Sequence, residues 1–111
     1  MDDLQKISNV LTEFTTRHNK ITGNMMQVFL YLAQRTDEVI TTKDLPEALG
    51  LPQTTINRLI RTMTDRSYAR EHGFKWLKQH IDPMDERQRI VELTPKGREL
   101  ANTIRGIMKD D

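Results

Sequence analysis

The residues best suited to recognise another molecule lie at the start of one predicted helix, just after Gly50-Leu51-Pro52. They are polar or cationic and comprise Gln53, Thr54, Thr55, Asn57, Arg58 and, one turn further on, Arg61. In the major groove of B-DNA, amide side chains can pair with adenine and arginine can pair with guanine. Threonine hydroxyls can reach phosphates, and a helix N-terminus favours a phosphate. A recognition helix over about residues 52–65 is therefore predicted, although the same residue types are also common on any exposed first helical turn.

A second set of cations belongs to a predicted β-hairpin over about residues 74–93. Arg87 falls at its tip, where an arginine can enter a narrow minor groove, and its alternative partner is Asp82 or Asp85. Lys75, Lys78 and Arg89 flank the tip. These three are expected to contact phosphates, which would affect affinity and salt dependence rather than sequence choice.

The charge of the chain is nearly balanced, with a formal net charge of +1. DNA binding must therefore depend on local clustering. Residues 58–89 contain eight cations against five carboxylates, and the eight are Arg58, Arg61, Arg66, Arg70, Lys75, Lys78, Arg87 and Arg89. A solvated surface is the alternative interpretation of this cluster.

Other kinds of chemistry find little support in the 111 residues. The absence of cysteine excludes disulfides, thiolate zinc sites and a cysteine nucleophile. His18, His72 and His80 lack metal-ligand spacing, and no catalytic triad or phosphate-binding loop is present. We therefore expect no enzymatic activity, no cofactor and no metal. Without a membrane-length apolar run or a signal-peptide pattern, a cytoplasmic protein is expected.

The recognition helix is the second half of a predicted helix-turn-helix. The first helix would be capped by Thr42, with Leu45, Ala48 and Leu49 facing inward, and would end at Gly50. The second helix has Ile56, Leu59, Ile60 and Met63 at helical spacing, ending near residues 65–67. Apolar inward positions and polar outward positions fit a helix-turn-helix.

A hairpin and a last helix follow. The wing is expected to begin at Tyr68-Ala69-Arg70, with strands at 74–81 and 88–93 and a turn from Asp82 to Arg87. Val91 and Leu93 would share one face of the second strand. Thr94 is expected to cap a final helix that has Pro95 at its first position and ends near Met108.

Two helices precede the helix-turn-helix. The first, within residues 1–19, carries the apolar stripe Leu4, Ile7, Leu11 and Phe14, with Val10 beside it. The second is capped by Thr22 and would bury Met25, Met26, Phe29, Leu32 and Ala33, followed by a short strand at Val39-Ile40. The expected architecture is a single, mainly α domain over 1–111 with a small β-hairpin wing. It divides into an N-terminal helix (1–19), a helix-turn-helix with wing (22–93) and a C-terminal helix (94–109).

The wing sequence resembles a known family. Asp82-Pro83-x-Asp85-x-Arg87, followed by Leu93-Thr94-x-x-Gly97, is similar to the wing signature of the MarR family of bacterial transcription regulators. The resemblance covers about residues 22–100. It implies a winged helix that binds double-stranded DNA sequence-specifically, with the recognition helix in the major groove and Arg87 in the minor groove, and that acts as a repressor by occupying an operator.

The sequence departs from the family pattern in three places. The segment from Arg70 to Asp82 is longer than in most members, which predicts a longer or bulged wing. Arg61 stands where many members have an acidic residue that pairs with the wing arginine. One terminal helix replaces the usual two. A homodimer through the N- and C-terminal helices is expected, although their apolar stripes could instead cover each other within one chain; any small-molecule effector is left open.

Two other functions remain as alternatives. One is a protein-interaction module of a transcription or replication complex. The other is a single-strand nucleic-acid binder in which Phe74 and Trp76 stack on bases, rather than packing the wing onto the domain.

Overall fold

The computed structural model describes residues 2–64 and 73–109. Within these ranges the elements are α1 (Asp3–Arg17), α2 (Gly23–Ala33), β1 (Ile40–Thr41), α3 (Asp44–Leu49), α4 (Gln53–Met63), β2 (Leu77–Asp82), β3 (Asp85–Leu93) and α5 (Pro95–Met108). The strands form one antiparallel sheet in the order β1-β3-β2. The predicted fold class, mainly α with a small β wing, is confirmed. The expected start of the wing at 68–70 lies outside the described residues.

Two predicted helix caps are present. Thr22 Oγ1 accepts a hydrogen bond from the Met25 N–H at 3.3 Å, and Thr94 Oγ1 accepts one from the Gly97 N–H at 3.0 Å. Pro95 begins α5, where its missing N–H leaves no intrahelical bond unmade. Gly50 ends α3 in the left-handed region with φ 67°. Local capping chemistry therefore determines these helix ends.

The predicted cap of α3 was wrong. Lys43 occupies the N-cap position and makes no capping side-chain bond, while the Asp44 carboxylate accepts from the Thr41 N–H and hydroxyl at 2.9 and 3.0 Å. Thr42 instead faces β3, and its hydroxyl accepts from the Arg89 N–H at 3.2 Å. Ala48, expected inside, is exposed. The difference arises because Thr42 extends the pairing that begins in β1.

The first predicted wing strand starts too early. Residues 74–76 lie before β2 and donate their main-chain N–H groups to the carbonyls of Thr62, Thr64 and Met63. The final carbonyls of a helix have no partner within it, so this segment satisfies the end of α4. The strand forms only from Leu77, and β3 begins at Asp85 rather than Gln88. The first strand of the sheet likewise lies at Ile40–Thr41, one residue later than expected, and Val39 is exposed.

The core joins the helices to the base of the wing through aromatic contacts. Ring centroids of Phe14 and Phe29 are 5.6 Å apart, and those of Phe29 and Trp76 are 5.5 Å apart. Trp76 is 1% exposed, and Val91 and Leu93 are buried beneath the sheet. Phe74 and Trp76 therefore pack the wing onto the domain, and their burial contradicts the proposed stacking on single-stranded bases.

The apolar stripe of α1 divides into two faces. Val10 and Phe14 are buried, whereas Leu4, Ile7 and Leu11 are 78%, 49% and 46% exposed. The prediction placed Leu4, Ile7, Leu11 and Phe14 in one stripe with Val10 beside it. Only Phe14 and Val10 face the core, because α1 packs on α5 through the Lys6, Val10 and Phe14 face, whose members are four residues apart. Lys6 Nζ contributes a 3.5 Å hydrogen bond to the Met108 carbonyl. The Leu4, Ile7 and Leu11 side chains are left facing outward.

Candidate nucleic-acid interface

Helix α4, the predicted recognition helix, has one buried and one exposed face. Ile56, Leu59, Ile60 and Met63 are buried. The outward face carries the predicted polar residues, of which Thr55 is half-buried and the others are exposed: Gln53, Thr54, Asn57, Arg58 and Arg61. Because the polar side chains of this face are not part of the buried core, another polar surface can approach them without disrupting the core.

A hydrogen-bond chain crosses the start of α4. Gln53 Nε2 donates to the Thr42 carbonyl at 2.9 Å and to Asn57 Oδ1 at 2.9 Å. The Thr42 hydroxyl and main-chain N–H in turn bond Arg89 of β3. This series of hydrogen bonds therefore links α4 to the wing through the β1–α3 junction.

A bulge shapes the wing tip. Ile81 pairs with Arg89, but the next pair is Asp82 with Asp85, so residues 86–88 on β3 have no opposite partner. Such bulges bend a strand and redirect its side chains. The Asp82 carboxylate is buried and accepts from the Met84 N–H at 2.9 Å and from Gln88 Nε2 at 2.8 Å. A longer or bulged wing was predicted; the structure shows the bulge, and Arg87 lies on it.

Arg87 is held by one carboxylate. Its Nε lies 3.0 Å from Asp85 Oδ1, and its main-chain N–H donates to the same oxygen at 3.1 Å. Lys43 Nζ approaches Asp85 Oδ2 at 3.3 Å. The side-chain and main-chain hydrogen bonds from Arg87 lower the pKa of Asp85 well below its usual range, and the Asp85 carboxylate raises the pKa of Arg87. Of the two acidic partners considered for Arg87, Asp85 is the one observed.

The exposed face of α4 and the wing share one depression, here called the helix–wing groove. Its lining is polar and consists of Thr42, Asn57, Arg61, Gln79, Glu86, Arg87, Gln88 and Arg89. Three arginines against one carboxylate give the groove a positive charge, which favours a polyanion. The structure thus brings together four of the residues predicted from sequence: Asn57, Arg61, Arg87 and Arg89.

The two wing lysines lie apart from this groove. Lys75 and Lys78 line a neighbouring depression at the wing base with Thr64 and Leu77. Lys75 adopts φ 65° and is exposed, and Lys78 Nζ pairs with Glu92 across the strands at 3.1 Å. The predicted cations Arg66 and Arg70 lie outside the described residues.

Sequence reasoning missed the β1–α3 junction as part of this interface. Thr42 lines the groove and contacts both α4 and β3, and Lys43 bonds the wing tip. The only local signal was the Thr-Thr-Lys-Asp sequence, which also suits a helix cap. Pairing with β3, 47 residues away in the chain, could not be inferred from it.

Two other kinds of feature were sought in the described residues. In the ranges 2–64 and 73–109, no group of three or more His, Asp or Glu side chains is positioned to hold a metal ion. None of the helices described there is both long enough and apolar enough to cross a bilayer.

Comparison with known proteins agrees with this geometry. Residues 23–73 match the model of the IclR helix-turn-helix domain. Similar solved structures include Staphylococcus aureus MepR bound to DNA, at 23% identity and TM-score 0.70, covering 93% of this chain and 73% of that chain. A second MepR structure, described as a transcription regulator of the S. aureus multidrug efflux pump MepA, matches at 18% identity and TM-score 0.69, covering 94% of this chain and 68% of that chain. Apo MarR from E. coli matches at 19% identity and TM-score 0.66, covering 93% and 68%.

The chain has a MarR-like winged-helix fold. It spans about two thirds of the length of MarR and about two thirds to three quarters of that of MepR. No curated protein sequence matches it. The helix-turn-helix match and the structural neighbours together show a winged helix-turn-helix fold.

One departure from the MarR pattern now has a structural answer. Arg61 of α4 lines the helix–wing groove and cannot replace the acidic partner of the wing arginine. Asp85, within the wing itself, holds Arg87, and Lys43 ties that carboxylate to the start of α3. Lys43 thus fastens the tip of the MarR-like wing to the start of α3, in addition to the hydrogen bonds that join the wing to α4 through Thr42 and through residues 74–76.

Proposed function

We propose that this chain is a sequence-specific, double-stranded DNA-binding transcription regulator. The observation that carries the proposal is the helix–wing groove, which puts Asn57 and Arg61 of α4 beside Arg87 and Arg89 of the wing. A helix fits the major groove, and an arginine on a projecting hairpin can enter the adjacent minor groove. In this arrangement Arg87 enters the minor groove. The major groove is faced by the outward side chains of α4, which are Gln53, Thr54, Thr55, Asn57, Arg58 and Arg61. Lys75, Lys78 and Arg89 contact phosphates.

The regulator acts as a homodimer that represses by occupying an operator in the cytoplasm. Leu4, Ile7 and Leu11 form an exposed apolar row on α1, and Met108 is 42% exposed at the end of the adjacent α5. Such a row is unfavourable in water and is covered if two copies pair through these helices. Two copies related by a twofold axis would read two half-sites about one helical turn apart, which gives a small domain workable specificity.

A fluorescence-anisotropy titration tests DNA binding directly. Random double-stranded and single-stranded oligonucleotides are compared at low and moderate salt with wild type, Arg58→Ala and Arg87→Ala. Wild type is expected to prefer duplex with a steep salt dependence, because released counterions drive binding to phosphates. Both variants should bind more weakly, because each removes an arginine proposed to enter a groove of the duplex.

The matched control is Arg98→Ala on α5, which removes an exposed arginine outside the proposed interface. It should bind duplex like wild type. Failure of wild type to bind duplex at low salt would overturn the proposal and favour a protein-interaction module instead. Equal loss of affinity in all three arginine variants would show that only bulk charge matters.

A further inference from the structure

Near the start of α4, hydrogen bonds join three polar groups in series and fix the orientation of the two amides. The groups are the Thr42 carbonyl, the Gln53 amide and the Asn57 amide. The Thr42 carbonyl oxygen can only accept a hydrogen bond, and the Gln53 side chain lies 2.9 Å from it. The group that Gln53 turns toward Thr42 must therefore be its amide nitrogen. Since that nitrogen also lies 2.9 Å from Asn57, the Asn57 group facing it must be an acceptor, the side-chain oxygen Oδ1.

This order leaves each amide with one polar group that makes no hydrogen bond to the other amide or to Thr42. Both N–H bonds of the Gln53 amide are engaged, so Gln53 presents only its carbonyl oxygen Oε1. Asn57 Oδ1 already accepts from Gln53 with one of its two lone pairs, so the Asn57 group that is left wholly free is Nδ2 with its two N–H donors. Asn57 is also the member of the pair that lines the helix–wing groove beside Arg87 and Arg89.

We propose that Asn57 reads the base edge with two acceptors, guanine, and that Gln53 is the residue that sets this preference. Guanine presents two acceptors, N7 and O6, in the major groove. Adenine presents an acceptor at N7 and a donor at N6, so an asparagine reads it with its oxygen and nitrogen together. The bond from Gln53 competes for that oxygen. The sequence alone favoured adenine for both amides, and the tertiary bond to Thr42 reverses this expectation for Asn57.

The amide orientation can be tested without DNA, whereas base reading by Asn57 rests on the proposed function. In ¹⁵N-resolved NMR spectra of the free protein, both Nε2 protons of Gln53 should lie downfield and exchange slowly with water. A scalar coupling from Gln53 Nε2 to the Thr42 carbonyl carbon should be measurable. Asn57→Ala should shift one of the two Gln53 protons upfield. Gln53 amide signals at random-coil positions would overturn the proposal whatever the protein binds.

The base preference is measured by selecting duplexes from a random library with wild type and three variants. Asn57→Ala identifies the base pair that Asn57 reads, because only the preference at that pair should fall. At that pair wild type should select guanine. Gln53→Leu removes the amide donors and so frees Asn57 Oδ1, and should shift the selection toward adenine by about fivefold or more, the discrimination of one good paired contact.

Thr54→Ala is the control for a change on the same helical turn. It should weaken binding without moving the preference at the Asn57 pair. Selection of adenine by wild type, or an unchanged preference in Gln53→Leu, would overturn the role of Gln53 while leaving DNA binding intact. Enrichment of no sequence by any protein would instead overturn the proposed function.

Discussion

One carboxylate at the wing tip holds two cations from different elements. Asp85 accepts from the side chain and main chain of Arg87 and lies 3.3 Å from Lys43 Nζ. These donors favour the charged carboxylate, which lowers the pKa of Asp85. A carboxyl group whose pKa is lower in the folded state stabilises the fold at neutral pH, and this stabilisation is lost as the pH falls through the folded-state pKa.

The first prediction concerns this titration. In wild type, the NMR chemical shift of the Asp85 carboxyl carbon should still be that of an ionised carboxylate at pH values where an ordinary aspartate, with a pKa of about 3.9, is half protonated. Arg87→Ala should return the midpoint toward the ordinary value, and Lys43→Ala should return it less, since Arg87 is the larger cause. An ordinary midpoint in wild type would show that Asp85 does not hold the wing arginine in solution.

The second prediction concerns Gly97, in the first turn of α5. A Cβ built there would overlap the Trp76 carbonyl oxygen and lie 3.1 Å from its carbon, and that oxygen already accepts from the Thr94 N–H. Gly97→Ala should therefore lower the free energy of unfolding by about 1–3 kcal/mol, the usual cost of overpacking. Gly106→Ala meets open space in the same helix and should raise it by up to about 1 kcal/mol. Urea denaturation measures both, and equal values would contradict the close approach.

At the scale of elements, the wing base is held between α1 and α5. His18, just after α1, stacks on Phe74 with ring centroids 3.9 Å apart and meets Trp76 edge-on at 5.0 Å. From the other side, the Thr94 hydroxyl, which caps α5, donates to the Lys75 carbonyl at 2.6 Å. The segment 74–76 also satisfies the end of α4, so three helices meet at these three residues. Their position determines where the wing starts.

The third prediction follows from the burial of His18. Burial, reinforced by the positive charges of Lys96 and Arg17, lowers the pKa of His18. The unfolded chain protonates this imidazole near pH 6.5, so the free energy of unfolding should fall as pH decreases below that value and level off below the folded pKa. Urea denaturation at pH 7.5 and 5.5 measures the loss. The free energy of unfolding of His18→Gln should fall less over this interval, whereas that of Asn19→Ala, a change at the exposed neighbour, should fall as in wild type.

At the scale of the whole molecule, the helices α1 and α5 pack together and leave Leu4, Ile7 and Leu11 exposed. The fourth prediction is that wild type is a dimer in solution and that Leu11→Glu is a monomer, because the new carboxylate would lose its hydration in the interface. Val39→Glu changes a more exposed apolar residue, 70% accessible near β1, and should remain dimeric. Sedimentation equilibrium measures all three masses.

The same variants connect assembly to DNA binding. On a duplex with two half-sites, the monomeric Leu11→Glu should bind about a hundredfold more weakly, because it loses the effective concentration of a linked second domain. Val39→Glu should bind like wild type. A monomeric wild type would instead show that this row of side chains is not the interface between copies.

Features that depend on nearby residues could be predicted from sequence. The start of α5 at Thr94-Pro95, the end of α3 at Gly50 and the buried face of α4 all follow from capping, turn and helical-period rules acting within about four residues. The outward face of α4 was predicted as well, because its polar residues occupy the helical positions between the buried apolar ones. The bulged wing was anticipated from the length of the segment before it.

Features that depend on distant partners were decided only by the tertiary structure. Thr42 could have capped α3, but β3 brought Arg89 to its hydroxyl. The apolar residues of α1 could all have shared one stripe, but packing on α5 selected Val10 and Phe14 and left three others outside. Gln53 and Asn57 are adjacent on α4 in any helix, yet the Thr42 carbonyl, supplied by the sheet, determines which atoms they present. Sequence thus determined which side chains this surface carries, and long-range contacts determined their orientation, because a side-chain amide has no orientation of its own until a partner with one hydrogen-bonding sense fixes it.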